Sequence, residues 1–212
     1  MPTRAALFDF DGTLADSFAA ITASTNHVRA SYGLPALPEG EVRGYVGLGL
    51  HKLMEDLAPG ADPGEAVRRY RAHHGSVMFT GTTLLPGVAD TLAELARRGL
   101  KLAVCSNKQV TFTRELVTHF GLGPLFAAVL GPDDVGGRAK PDPAMLFEAC
   151  TRLGVPPAET VYVGDMAVDV HTAKAAGIPV WLVPGGAAGT ESAVAAGPDR
   201  VLASFADILA LV

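Results

Sequence analysis

Ala5-Ala6-Leu7-Phe8-Asp9-Phe10-Asp11-Gly12-Thr13-Leu14 runs from a short apolar stretch into two acids and a glycine turn. An apolar run of this length suits a strand buried in a parallel sheet, and we expect one over Ala5–Phe10. The acids stand two residues apart where the strand meets the turn. Residues i and i+2 of a strand point the same way, so both carboxylates would share one face.

Outward from this stretch the pattern changes. Phe18, Ile21, Thr25, Val28 and Tyr32 recur at helical spacing, with Asp16 or Ser17 as N-cap and Gly33 and Pro35 as stop signals. Further helices are expected over Glu39–Val46, Leu50–Leu57 and Pro63–Val77. Nothing between Asp16 and about Phe79 reads as a strand, so an all-helical insert is expected at 16–83. Pro86-Gly87 restarts regular structure. Helices are expected over Val88–Arg98, Val110–Phe120, Ala144–Leu153 and Val168–Ala176, each stopped by a glycine at 99, 121, 154 or 177. Strands are expected at Lys101–Cys105, Ala127–Leu130, Thr160–Val163, Pro179–Val183 and Arg200–Ala203, and a last helix at Phe205–Leu211. Ala187–Gly197, small and Ala-rich, reads as a loop with a short helix. Alternating strands and helices imply an α/β fold, a doubly wound parallel-sheet (Rossmann-like) core. The expected core is 1–15 plus 84–212. Folds of this kind bind ligands at the carboxyl ends of their strands.

The other expected strand ends carry polar residues too. Cys105-Ser106-Asn107-Lys108 places a hydroxyl and free N–H groups before a helix, which suits a phosphate, although Ser106 or Asn107 also serves as an ordinary helix cap. Lys140-Pro141-Asp142-Pro143 holds a lysine before a rigid turn, where it offsets negative charge or sits on the surface. Gly164-Asp165-Met166-Ala167-Val168-Asp169 adds two acids at another strand-to-helix turn, as metal ligands or as a cap and a surface acid. Asp9 and Asp11 could divide nucleophilic attack on phosphorus and protonation of the leaving oxygen, and crowded carboxylates suit magnesium. Each pattern has an ordinary structural explanation alone. Four at successive strand ends point to phosphoryl transfer.

Taken in order, DFDGTLADS, CSNK, KPDP and GDMAVD resemble the four motifs of the haloacid dehalogenase superfamily, in its phosphoglycolate phosphatase-like branch with a helical cap. The resemblance covers essentially the whole chain. It implies Asp9 as nucleophile and metal ligand. It implies Asp11 as general acid and then base, its backbone carbonyl on the metal, and Thr13 as support for that loop, positioning Asp11. Ser106 and the Asn107 amide would hold the phosphoryl group, and Lys140 would neutralise charge. Asp165 would bind Mg2+ directly, with Asp169 in direct or water-mediated support. Neighbouring acids are expected to raise the pKa of Asp11. Met166 stands where many relatives have serine.

The resemblance makes the insert a cap that closes over the site, hinged at Ala15–Ser17 and Thr80–Thr83. Its loop around Gly47 would face the active site. Arg43, His51 and Lys52 are candidates to contact the leaving group, or are solvated charges. Adjacent helical residues such as His73 and His74 make a poor metal pair. The substrate class implied is a small phosphorylated metabolite, 2-phosphoglycolate first. Competing readings are a phosphosugar mutase of the same superfamily, a dehalogenase and a non-catalytic phospho-acceptor domain. Asp11 argues against the dehalogenase, because a departing halide needs no proton.

Composition agrees with an ordinary enzyme. The 212 residues are 49% hydrophobic and 18% charged, enough for a large core. A net charge of -5 offers no general attraction for nucleic acid or anionic membranes. Two cysteines form no disulfide framework, and Met1-Pro2-Thr3-Arg4 leads into too short an apolar run for a signal peptide. A cytoplasmic monomer or homodimer is the expectation.

Overall fold

The computed structural model describes residues 2–184 and 190–212. Strand β1 (Ala5–Phe8) is fully buried and leads through the acidic turn into β2 (Ala15–Asp16). Helices α1 (Phe18–Ser31), α2 (Glu39–Arg43), α3 (Leu50–Leu57) and α4 (Pro63–Val77) follow, then β3 (Thr83–Leu84) and α5 (Val88–Arg97). The alternation continues with β4 (Lys101–Cys105), α6 (Val110–His119), β5 (Phe126–Leu130), α7 (Ala144–Leu153), β6 (Thr160–Gly164), α8 (Ala167–Ala176), β7 (Val180–Leu182), α9 (Thr190–Ala195) and β8 (Arg200–Val201). Residues 205–210 form a 3-10 helix rather than the expected α-helix. The expected loop-plus-helix region begins at 187; its first three residues, 187–189, lie outside the described residues, and α9 forms within the rest.

The main sheet has the order β5-β4-β1-β6-β7-β8, all strands parallel. β1 is flanked by β4 and β6, the point at which strand order reverses and a crevice opens. Phe8 is level with Val104 and Val163. That register brings the residues after Phe8, Cys105 and Gly164 to one edge. The two faces of the sheet carry separate apolar layers. Phe8, Leu92 and Leu116 lie in one, Leu7, Leu146 and Tyr162 in the other. Both cysteines are free and buried, Cys105 as a small apolar residue of the sheet.

Helices α1 to α4 share an apolar cluster of their own, including Phe18, Ile21, Val28, Leu53, Met54 and Val67. The Asp62 carboxylate caps α4 by accepting from the Glu65 N–H, and Pro63 occupies the first turn. Two expectations needed correction here. β1 stops at Phe8 rather than Phe10, because the backbone turns at the acids. The ends of the helical insert are also not strand-free: β2 and β3 pair antiparallel, with Ala15 opposite Leu84. Two-residue strands leave no periodicity to read. Among the described residues no helix is long and apolar enough to cross a membrane.

Candidate active site

Gly12 makes the acidic turn possible. Its φ of 83° lies in the left-handed region, and a Cβ there would collide with the Asp165 carboxylate. The turn is closed by Leu14 and Ala15 N–H groups on the Phe10 carbonyl, at 2.9 and 3.0 Å. Asp9, Asp165 and Asp169 thereby converge. All three are buried, and each offers a carboxylate oxygen within 4.8 Å of the others.

One cation lies beneath them. Lys140 Nζ is 2.9 Å from Asp9 Oδ2 and 2.7 Å from Asp169 Oδ1, and it donates to the Tyr162 hydroxyl at 3.0 Å. Lys140 is 3% exposed, so the surface-lysine alternative fails. Burial alone would lower its pKa; Asp169 and Asp9 outweigh burial and raise it. Burial pushes the Asp9 carboxyl up to about 6, against the pull of Lys140 and with help from Asp169. The Asp165 carboxyl is also raised, by burial and then by Asp169 and Asp9.

The two acids after β6 have the reverse of their ordinary structural roles. Asp169 is fully buried, and its Oδ2 accepts from the N–H groups of Met166 and Asp165 at 3.0 and 3.2 Å. Asp169 is thus the residue that caps α8. Its Oδ1 is taken by Lys140 and lies 3.0 Å from the Tyr162 hydroxyl. Asp165 is left at the site edge, where the Thr13 hydroxyl donates to its Oδ1 at 2.7 Å. Thr13 supports Asp165, not Asp11 as expected.

Asp11 belongs to a different neighbourhood. It lies past the strand, so the shared-face reasoning does not apply to it. Ser17 Oγ donates to its Oδ1, and Lys108 Nζ stands 3.1 and 3.3 Å from its two oxygens. The charge beside Asp11 is therefore a cation. The acids expected to crowd it gather around Asp9 instead. Lys108 was visible in the CSNK motif, but nothing in sequence marks a lysine as buried. Tyr162 carried no signal at all.

Helix α6 begins at Val110 with Gln109 at its N-cap, so neither Ser106 nor Asn107 caps it. The Ser106 hydroxyl accepts from the Lys108 N–H at 3.3 Å, and it also draws the Asp9 pKa down against burial. The Asn107 side chain is fully engaged. It donates to the Gly47 and Lys140 carbonyls at 2.8 and 3.0 Å and accepts from the Lys140 N–H at 2.8 Å. It thus ties the loop before α3 to the sheet edge. Gly47 also lies against Met166: a Cβ there would stand 2.6 Å from Sδ. Met166 and Val168 join the apolar cluster of α1 to α4, a contact that serine at 166 would not make.

A cavity opens over Asp9, Asp11, Ser106, Asn107 and Lys108, reaching Gly47, Tyr70 and His74 on the helical side. Its volume is about 60 Å³. Arg43 and His51 are not among its lining residues. The Arg43 guanidinium stacks 3.8 Å above the Phe18 ring and pairs with Glu39 at 3.0 Å. His51 is exposed on α3, and Lys52 pairs with Asp56 at 2.5 Å. Their helical turns face away from the cavity, which spacing alone did not resolve.

A doubly wound sheet with carboxylates at its strand ends and a lysine buried among them is the layout of a phosphoryl-transfer enzyme. The sequence profile of the haloacid dehalogenase-like hydrolases matches residues 6–183, and the chain belongs to that family. A protein named phosphoglycolate phosphatase from Cupriavidus necator is 38% identical over 217 residues, covering 100% of this chain and 94% of its own. Another of that name, from Pectobacterium atrosepticum, is 33% identical over 99% of this chain and 92% of its own. The crystal structure of a predicted phosphoglycolate phosphatase from Haemophilus somnus superposes with a TM-score of 0.90 at 27% identity, covering 99% of this chain and 97% of that one. CbbY from Rhodobacter sphaeroides, solved with phosphate, gives 0.84 at 28% identity, covering 97% and 96%. The chain is a phosphoric monoester hydrolase of the phosphoglycolate phosphatase-like type.

Proposed function

We propose that this hydrolase is magnesium-dependent and works through a phosphorylated Asp9, with residues 16–83 acting as a cap over a core of 1–15 plus 84–212. The observation that carries this reading is the buried convergence of Asp9, Asp165 and Asp169 on Lys140. Asp9 Oδ1 is buried and has no hydrogen-bond partner among the described residues, while Oδ2 is held by Lys140. Three carboxylates against one lysine leave an excess of negative charge that a hard divalent cation fits. Asp9 and Asp165 would hold it, with the Asp11 carbonyl. Asp169, both of whose oxygens are already engaged, would support from behind. Bound there, magnesium would supply positive charge to screen the carboxylates from an anionic substrate.

An Asp9 oxygen attacks phosphorus, the phosphorus–oxygen bond to the leaving group breaks, and Asp11 gives the departing oxygen a proton. Water then attacks the aspartyl phosphate, with Asp11 taking the proton and inorganic phosphate leaving. Ser106 donates to a phosphoryl oxygen. Ser17 and Lys108 hold Asp11 in place and favour its charge once the proton is gone. The Asn107 bridge and the Met166 contact hold the cap loop over the site, which excludes water during the first step. The two antiparallel strands at 15–16 and 83–84 are the connections about which the cap moves.

The test is phosphate release from a panel of small esters, with magnesium and with excess chelator. 2-Phosphoglycolate comes first, because relatives bear its name. Magnesium-dependent release is expected. A bisphosphorylated product instead of free phosphate would mean a mutase, and equal rates in chelator would end the metal assignment.

Thermal melting provides a second readout. Magnesium at about 100 times its dissociation constant stabilises by about 2.7 kcal/mol, or roughly 5–10 °C for a chain of this size. The gain depends on pH with a definite sign. Asp9 keeps its proton up to about pH 6 in the metal-free fold, and the cation must displace that proton. At one fixed magnesium concentration the induced rise is therefore larger at pH 8 than at pH 5. A rise that is the same at both would show that Asp9 is not a ligand.

A further inference from the structure

Away from the acids the cavity is walled mainly by carbon, from Ile21, Val46, Leu50, Leu53 and Phe112. His74 interrupts this wall. It is 0% exposed, and its ring is fixed by stacking on Tyr70 at 5.1 Å and by Phe112 at 5.0 Å. Nδ1 lies 3.1 Å from Ser24 Oγ. The single hydroxyl proton of Ser24 goes to the Ala20 carbonyl at 2.8 Å. With its proton so placed, the Ser24 oxygen, also 3.2 Å from His73 Nδ1, is an acceptor toward both rings; Nδ1 of His74 then carries the ring proton and Nε2 is the acceptor of the neutral ring. Burial, reinforced by the nearby Lys108 charge, holds the ring neutral by pushing its pKa down to about 3. No hydrogen bond reaches Nε2 among the described residues.

A second acceptor lines the same cavity. Gln109 Nε2 donates to Thr111 at 2.9 Å, while its Oε1 is buried with no partner among the described residues. Buried acceptors are costly unless a donor meets them. Lys108, the cation lining the cavity among the described residues, is already paired with Asp11. A charged leaving group would have to compete for it, whereas a hydroxyl finds acceptors waiting.

We infer that His74 is a specificity-determining residue. Its Nε2 accepts a hydrogen bond from a hydroxyl on the leaving alcohol, with Gln109 Oε1 as a second acceptor, so the enzyme favours phosphate monoesters of polyols over simple alkyl phosphates. The inference rests on the phosphomonoesterase reading above. His74 takes no part in the bond-making steps.

The experiment compares kcat/KM for glycerol 3-phosphate, propyl phosphate and 2-phosphoglycolate in wild type, His74→Phe and His74→Gln. Wild type is expected to prefer the glycerol ester to the propyl ester by roughly 10- to 100-fold. His74→Phe keeps an aromatic ring between Tyr70 and Phe112 but removes both nitrogens. It should lose most of that preference through a fall on the glycerol ester alone, and His74→Gln, which restores an acceptor, should recover part of it. Equal wild-type rates on the glycerol and propyl esters would overturn the inference, as would a His74→Phe loss that is the same on both. A wild-type preference for 2-phosphoglycolate over the glycerol ester, unchanged in His74→Phe, would assign the leaving group to Lys108 instead. No release from any ester by wild type would defeat the hydrolase reading itself, and this inference with it.

Discussion

Asp9→Asn removes phosphate release almost entirely, with kcat expected to fall about 10⁴-fold or more. An amide oxygen is too poor a nucleophile to open a phosphate ester, and no neighbouring carboxylate can replace it. Asp169 has both oxygens occupied and Asp165 is held by Thr13. The fold should survive. The change removes one charge from a site where burial already pushes the Asp9 carboxyl up to about 6, so the metal-free variant should melt no lower than wild type. Its response to magnesium should shrink, because an amide is a weaker ligand for that cation than a carboxylate. Asp11→Asn separates the two roles: turnover is lost while the magnesium-induced rise in melting temperature stays. Acid quenching with a radiolabelled ester checks the pair. Label should stay on the wild-type protein in an acyl-phosphate bond labile to hydroxylamine, and Asp9→Asn should carry none. Label retained by Asp9→Asn would place the nucleophile elsewhere.

Lys140→Met is the change with the largest expected cost to the fold. Lys140 Nζ is the counter-charge for two buried carboxylates and donates to a buried tyrosine hydroxyl. Removing one partner of a buried ion pair costs about 3–5 kcal/mol, because the remaining charge is left uncompensated. In a chain of this length that is roughly 6–20 °C in the thermal midpoint. Methionine fills much of the lysine stem's volume, so the loss isolates charge rather than packing. Lowering the pH should recover part of it, since protonating Asp9 removes one of the stranded charges. Magnesium should recover part as well, by supplying charge at the same place. Activity should still fall by about 10²–10³-fold, since phosphoryl transfer depends on positive charge around the reacting oxygens. A variant that melts like wild type in chelator would show that Lys140 does not neutralise the cluster.

Much of this was legible in the residue order. Leu50–Leu57, Pro63–Val77, Lys101–Cys105 and Ala144–Leu153 were readable to the residue, because local periodicity and a glycine, proline or acid at their ends define them. The four polar strand ends were legible for a related reason. A parallel sheet carries the residue after each strand to the same edge, so the convergence of Asp9, Ser106 and Asp165 follows once the strands are recognised. The paired strands at 15–16 and 83–84 were not legible, being too short to show a period. Neither was the direction of a side chain on the helical insert. Arg43 and His51 have the chemistry for a leaving group but do not line the cavity, while nothing in the sequence around His74 marks it as a lining residue.

Residue order by itself determined the α/β alternation, the helical insertion after the first strand, and which residue types gather at the carboxyl edge of the sheet. Tertiary structure alone decided how charge is distributed among them. Lys140 lies under Asp9 and Asp169, Lys108 pairs with Asp11, Thr13 turns to Asp165, and Asp169 spends its oxygens on α8 and the lysine. The physical reason is that strand and helix periodicity is local, written into neighbouring residues. Which charge offsets which depends on distances of about 3 Å between residues as many as 152 positions apart, and on the loss of water around them.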